Sequence, residues 1–280
     1  MDKFIEVNGI TLHYLEHGEG KPTLLLMPGL TANANEFDGL IQAGLAEHFH
    51  VLAVDLRGRG QSGKPAQGYS MGDHARDILA LMDALELDQV VLGGHSFGAL
   101  LTLYITAHFP ERVSKLVIID AAAELHPQVR QLIEPSLQRM GKVLPSFDAY
   151  ISAMKQMPHF HNWWDSTIES YYRADVQEFE DGSVQSRLYA NGILEAVDKS
   201  LEEPWTELVQ QIEQPAILLN AIEPYGLPGT PPVLPQAQAQ RTVEMLGNCQ
   251  YYIIPGNHMT MLFGENATQI VQILREFAAQ

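Results

Sequence analysis

The 280-residue chain has few positive charges and almost no cysteine. Lysine and arginine number 17 against 34 aspartates and glutamates, so the formal net charge is −17. This charge argues against a nucleic-acid partner or an anionic membrane surface, because both require clustered basic residues. Cys249 is the only cysteine, which excludes an internal disulfide and a zinc cluster built from cysteines.

Long apolar runs are also missing. No window reaches the ~18 apolar residues needed to span a bilayer. The first ten residues, MDKFIEVNGI, alternate charged and apolar side chains and lack the apolar centre of a secretory signal. There is no His-Glu-x-x-His, no P-loop and no dinucleotide glycine fingerprint. We therefore expect a cytoplasmic protein, monomer or dimer, that acts on a small molecule and needs no cofactor or metal.

Short β-type runs alternate with helical patterns along the chain. The later runs are almost continuously apolar, as expected for strands of a parallel sheet that is buried on both faces. The first two alternate and are joined by Asn8-Gly9, which favours an antiparallel hairpin. The order predicts a mostly parallel, doubly wound α/β sheet of eight strands. The predicted strands are 4–7, 11–16, 23–27, 49–55, 89–94, 115–120, 216–220 and 251–255.

This alternation of predicted strands and helices stops at about residue 121 and resumes near residue 204. The interval 121–203 contains helical patterns but no convincing buried strand, and it is too long for an unstructured loop. We predict a core formed by 1–120 and 204–280, with 121–203 inserted as a helical cap after the sixth strand.

One serine lies in a sequence pattern that is typical of catalytic nucleophiles. The segment Gly94-His95-Ser96-Phe97-Gly98 satisfies G-x-S-x-G, with a predicted strand before it and a predicted helix after it. A tight strand-to-helix turn lifts the serine hydroxyl out of the sheet and requires small neighbouring residues. The helix N-terminus would then face an oxyanion that forms beside Ser96. The pattern predicts that Ser96 is a nucleophile.

With this motif the chain resembles the α/β-hydrolase superfamily over nearly its full length. The resemblance implies an oxyanion hole formed by the backbone N–H groups of Leu30 and Phe97. In this chain Pro28 takes the place of the family's histidine in the first of these turns. The run Asp55 to Ser62, DLRGRGQS, is similar to a structural loop of the family, and neither Asp55 nor Arg57 is expected to be catalytic.

The triad also needs a histidine and an acid. His258 follows the last strand, where the family carries its catalytic histidine, whereas the neighbouring His95 is expected to be packed. Two carboxylates compete for the third position. Glu223 is the first choice, although the usual register after the seventh strand falls on Pro224. Asp120, at the end of the sixth strand, is the alternative.

The insertion is rich in aromatic and sulfur-containing side chains, which suit an apolar or aromatic substrate. We expect substrate contacts from Met154, Met157, Trp163, Trp164 and Tyr172. Two histidines, His159 and His161, could ligate a metal, but no carboxylate cluster lies near them in the sequence.

The predicted function is hydrolysis of a carboxylic ester or lactone through an acyl-enzyme on Ser96. The alternatives are a carbon–carbon bond hydrolase of a ring-cleavage product and a cofactor-free perhydrolase. A non-catalytic ligand-binding protein on the same scaffold also stays open, because fold does not dictate function.

Overall fold

The sheet runs through the whole core of the molecule. In the computed structural model, residues 1–20, 22–124, 129–160, 163–226 and 229–280 are described. Within them the strands are β1 (Asp2–Val7), β2 (Ile10–His17), β3 (Thr23–Met27), β4 (His50–Val54), β5 (Val90–His95), β6 (Val113–Ile119), β7 (Val143–Leu144), β8 (Val176–Glu178), β9 (Val184–Ser186), β10 (Ala216–Ala221) and β11 (Cys249–Ile254).

Eight of these strands form one sheet in the order β1-β2-β4-β3-β5-β6-β10-β11. The β1–β2 and β2–β4 pairs are antiparallel, and the remaining pairs are parallel. The hairpin turn between β1 and β2 has positive φ at Asn8 and Gly9, as its sequence predicts. All eight predicted strands and the mostly parallel layout are confirmed.

Helices cover both faces of the sheet, where they bury the apolar side chains of its inner strands. They are α1 (Asp38–Gln42), α2 (Met71–Ala84), α3 (Phe97–His108), α4 (Val129–Leu137), α5 (Phe147–Lys155), α6 (Ser166–Asp175), α7 (Ala190–Ser200), α8 (Trp205–Val209), α9 (Gln236–Leu246) and α10 (Gly264–Ala278). In the described part of the chain, none of them has the length and hydropathy that crossing a membrane would require.

The segment between β6 and α8 is mixed rather than purely helical. It carries α4 to α7, but β7, β9 and β8 also form a small antiparallel sheet. The expectation that this interval contains no buried strand is therefore wrong, since Val176 and Val184 are buried. A turn with Gly182 at φ 79° joins β8 to β9, and Asp181-Gly182 is a hairpin signal in the sequence. The division of the chain at 121 and 203 stays a prediction.

Candidate active site

Ser96 lies on a strained turn between β5 and α3. Its φ is 54° and its ψ is −114°, a conformation that costs free energy for any residue with a side chain. Its N–H donates to the carbonyl of Ile119 at 2.8 Å. A Cβ atom on Gly94 would lie 2.3 Å from the carbonyl carbon of Gly98, and one on Gly98 would lie 1.9 Å from the carbonyl oxygen of Met27. Both glycines are therefore required by close backbone contact.

His258 follows β11 and pairs with Asp120. Its Nδ1 lies 2.6 Å from Asp120 Oδ2, and both side chains are buried. The other carboxylate oxygen accepts hydrogen bonds from Asn220 Nδ2 at 3.0 Å and from the Ala221 N–H at 2.9 Å. Asn220 is fixed in turn because its Oδ1 accepts from the Tyr251 hydroxyl at 2.8 Å. The end of β10 thus orients a carboxylate that belongs to the end of β6.

Glu223 does not contact His258, so the expected pairing is wrong. Its side chain is exposed, and its Oε1 accepts from the Gly256 N–H at 3.0 Å. The loop after β10 therefore ties Glu223 to the loop after β11. Asp120, the alternative in the sequence analysis, occupies the position beside the imidazole.

The environment of His258 favours its neutral form. Burial lowers the pKa of the imidazole, repulsion by His95 lowers it further, and the hydrogen bond and charge of Asp120 offset only part of this. A pKa below the ordinary 6.5 leaves the imidazole unprotonated near pH 7, where it can accept a proton.

A second histidine–carboxylate pair lies beside the first. The ring centroids of His95 and His258 are 4.3 Å apart, and His95 Nδ1 lies 3.0 Å from Glu36 Oε1. The other oxygen of Glu36 accepts from the Gly29 N–H at 2.8 Å. Burial lowers the pKa of His95, but the charge of Glu36 and its hydrogen bond outweigh this and raise it. His95 is packed, as expected from the sequence, and it also lines the cavity described below.

The turn that starts at Pro28 is held without the family's histidine. Glu36 fixes Gly29, and the carbonyl of Leu30 accepts from Arg59 Nε at 2.9 Å. Within the described residues, the N–H groups of Leu30 and Phe97 donate to no acceptor. Two backbone N–H groups near Ser96 therefore have no internal acceptor, and their role as an oxyanion hole stays a prediction.

Ser96 and His258 line the same cavity, with a volume of about 100 Å³. Three of the predicted substrate contacts lie in its wall, namely Met154, Met157 and Tyr172. The other lining residues are Gly29, Leu30, Thr31, Ala32, Glu36, His95, Ile133, Arg139, His159, Tyr171, Tyr225, Val233 and Met259.

Trp163 and Trp164 are not among these lining residues, and their contact with substrate stays a prediction. Trp164 stacks on Tyr172 with ring centroids 5.7 Å apart and an interplanar angle of 7°. Trp163 packs close to Gly264 at the start of α10. Their apolar surface is used to support the wall, and the cavity itself is bounded by the tyrosines.

Sequence reasoning missed Arg139 in this cavity. Its Nε donates to Asp175 Oδ2 at 3.2 Å, and its Nη2 donates to the carbonyl of Thr31. Burial opposes its charge, but attraction by Asp175 outweighs this and raises its pKa well above the ordinary value. Nothing in the helical pattern around residue 139 indicates a pocket cation, because the pairing with Asp175 spans 36 positions.

The suggested metal ligands do not form a site in the part of the chain that is described. Burial lowers the pKa of His159 to about 3, and its ring stacks on Tyr225 at 4.7 Å. His161 lies outside the described residues. Elsewhere in the described ranges, no group of three or more histidine, cysteine, aspartate or glutamate side chains is placed to hold a metal ion.

Comparison with protein families agrees with this geometry. Residues 22–242 match the model of the alpha/beta hydrolase fold. The chain belongs to this family. In this chain Ser96, Asp120 and His258 follow β5, β6 and β11, at the carboxyl ends of strands in the parallel part of the sheet.

Curated hydrolase relatives align with parts of the chain. The 2-(acetamidomethylene)succinate hydrolase of Mesorhizobium japonicum is 35% identical over 151 residues, which are 53% of this chain and 54% of the relative. The N-formylmaleamate deformylase of Pseudomonas putida is 36% identical over 117 residues, which are 41% of this chain and 43% of the relative. The chain thus spans about half the length of these relatives.

A solved structure of an E-2-(acetamidomethylene)succinate hydrolase covers 100% of this chain and 99% of its own, with a TM-score of 0.86. The two chains are 20% identical, so this likeness concerns the fold.

Proposed function

We propose that this protein is a serine hydrolase that cleaves a carboxylic ester or lactone through an acyl-enzyme on Ser96. The observation that carries the proposal is the strained turn at Ser96, which lines one cavity with His258, whose Nδ1 lies 2.6 Å from Asp120 Oδ2. The relatives named above as a hydrolase and a deformylase support it.

The reaction uses only groups of this chain and water. His258 Nε2 takes the hydroxyl proton of Ser96 while Ser96 Oγ attacks the substrate carbonyl, and Asp120 stabilises the imidazolium that forms. The Leu30 and Phe97 N–H groups bind the oxyanion. His258 then gives the proton to the leaving group. Water, activated by the same imidazole, hydrolyses the acyl-enzyme and restores Ser96.

Turnover of p-nitrophenyl butyrate and labelling by a serine-reactive fluorophosphonate test this function. We expect the wild type to turn over the ester and to bind one equivalent of phosphonate. Ser96→Ala should lower kcat at least about a thousandfold and abolish labelling. Ser114→Ala is the control, because Ser114 lies at the start of β6, whereas Asp120 follows its end, and the Ser114 hydroxyl donates to the carbonyl of Val90. A wild type that neither labels nor turns over would instead support a ligand-binding protein.

A second candidate function narrows the substrate to one that carries a carboxylate. Arg139 lines the cavity together with Tyr171 and Tyr172, and these two hydroxyls have no hydrogen-bond partner among the residues described. Burial raises the pKa of both tyrosines, so they stay donors. A guanidinium and two hydroxyls suit a carboxylate, and the names of both curated relatives contain such acids, a succinate and a maleamate.

Two esters of similar acyl length distinguish this candidate from a purely apolar pocket. We expect mono-p-nitrophenyl succinate to be preferred over p-nitrophenyl butyrate. Tyr171→Phe should lower kcat/KM for the succinate ester about tenfold, because one hydrogen bond to a charged group is lost, and change the butyrate value less than about threefold. Tyr104→Phe is the matched control, since its ring stacks on His108 and it does not line the cavity. Equal effects on both esters would refute the carboxylate site.

A further inference from the structure

Arg59 is a fully buried cation next to the oxyanion turn, and the mechanism above does not use it. Its side chain has 0% exposure. Its Nε donates to the carbonyl of Leu30 at 2.9 Å, and its Nη1 donates to the carbonyl of Arg57 at 2.7 Å and lies 2.8 Å from His74 Nε2. In the described ranges no carboxylate pairs with Arg59, and its Nη2 has no hydrogen-bond partner.

The three partners of Arg59 are neutral. The Nδ1 of His74 lies 2.8 Å from the carbonyl of Ser70, which can only accept, so Nδ1 carries the proton and Nε2 accepts from Arg59. Burial lowers the pKa of His74 well below its ordinary value, which keeps this imidazole uncharged. Burial also lowers the pKa of Arg59, to about 9, so the guanidinium is still protonated at pH 7. The chain thus keeps a positive charge that no neighbouring carboxylate neutralises.

This charge contacts both residues that supply oxyanion donors. The hydrogen bond to the carbonyl of Leu30 fixes a turn that lines the cavity. The guanidinium carbon lies 5.0 Å from the centroid of the Phe97 ring, within cation–π distance. His74 packs edge-on against the same ring at 5.2 Å. One side chain therefore couples the loop after β3 to the first residue of α3.

We infer that Arg59 is a positioning residue for the oxyanion hole. It orients the Leu30 and Phe97 amides and adds a buried positive charge behind them. The inference rests on the proposed function, because the charge matters only if a negative charge develops beside Ser96. A fixed charge in a low-dielectric interior acts more strongly than one in water and needs no reorganisation when the oxyanion forms.

The alternative is a purely structural role, which the neighbouring arginine allows us to test. Arg57 lies in the same loop, and its Nε and Nη2 both donate to Asp77 at 2.6 Å. Within the described residues, the Arg57 side chain makes no hydrogen bond or ring contact with Leu30 or Phe97. Removing Arg57 leaves the buried Asp77 carboxylate without its cation, which should destabilise the protein. Replacing Arg59 by an apolar residue leaves no charge behind, and methionine has a comparable length.

The experiment compares Arg59→Met, Arg59→Gln, Arg59→Lys and Arg57→Met with the wild type. For each, kcat and KM are measured with p-nitrophenyl butyrate, together with the melting temperature. The inhibition constant of an alkyl trifluoromethyl ketone is also measured, because its adduct with Ser96 carries the oxyanion. In Arg59→Met we expect kcat to fall about a hundredfold and the inhibition constant to rise by a similar factor, with KM changed less than about threefold.

The other variants separate charge from hydrogen bonding and from folding. Arg59→Gln can still donate to Leu30 but is neutral, so it should lose nearly as much as Arg59→Met. Arg59→Lys should regain about tenfold, because it restores the charge without the planar fork. Arg57→Met should lower the melting temperature and leave kcat and the inhibition constant of the folded fraction within about threefold.

Two results would overturn the inference while leaving the proposed function intact. One is an active wild type whose kcat and inhibition constant hardly change in any folded Arg59 variant. The other is an equal loss in Arg59→Met and Arg57→Met, which would indicate a structural role. A wild type that is inert to both the ester and a phosphonate would instead overturn the proposed function, and this inference with it.

Discussion

At the residue scale, the position and hydrogen bonds of Asp120 suit it better than Glu223 to orient the imidazole of His258. Its positive φ of 51° aims a short side chain from the end of β6, and both carboxylate oxygens are engaged by fixed donors. Glu223 is exposed and bonds only the backbone of the neighbouring loop. A buried, fully hydrogen-bonded carboxylate orients an imidazole more firmly than a solvated one.

We therefore predict opposite outcomes for two isosteric substitutions. Asp120→Asn should lower kcat about 10³- to 10⁴-fold, because the amide no longer favours the tautomer in which His258 Nε2 is free to accept a proton. Glu223→Gln should keep kcat within about threefold, since its amide oxygen can still accept from Gly256. Steady-state kinetics with p-nitrophenyl butyrate check both.

The melting temperatures of the two variants serve as the control for folding. A large loss in Glu223→Gln with a small one in Asp120→Asn would reverse the assignment. Such a result would require the loop after β10 to rearrange when substrate binds.

At the scale of elements, the eight sheet strands could be predicted because six are almost continuously apolar runs and the other two alternate around a hairpin turn, and both patterns are local. The cap strands could not be found in this way. β8 and β9 have three residues each, too few for a periodic pattern, and only the Asp181-Gly182 turn between them gives a signal. Short strands are formed mainly by their tertiary surroundings.

The same distinction applies to the site. Ser96 and His258 lie in local motifs at the ends of strands, so the sequence alone could single them out as candidates. The choice between Asp120 and Glu223 depends on how two loops fold over each other. The position of a residue relative to the end of a strand does not determine this. Arg59 and Arg139 are charged residues whose roles come from burial and from contacts across the fold, and neither property is visible in their sequence neighbourhood.

At the scale of the whole molecule, the charge of −17 acts against the proposed acidic substrate. The cavity wall carries the Arg139 guanidinium, which is paired with Asp175, but the net charge of the protein repels an anion at longer range. Local binding and long-range repulsion respond differently to salt. The Debye length falls from about 30 Å at 0.01 M to about 8 Å at 0.15 M, so salt removes mostly the long-range part.

Salt should therefore raise the activity toward a negatively charged ester more than toward a neutral one. Raising the ionic strength from about 0.01 M to about 0.15 M should increase kcat/KM for mono-p-nitrophenyl succinate several-fold, roughly the factor expected for screening about 1 kcal/mol of repulsion. The value for p-nitrophenyl butyrate should change little, because that ester is neutral. Steady-state rates for both esters over a sodium chloride series measure this. A decrease with salt for the succinate ester would mean that the positive groups of the cavity outweigh the net charge already during approach.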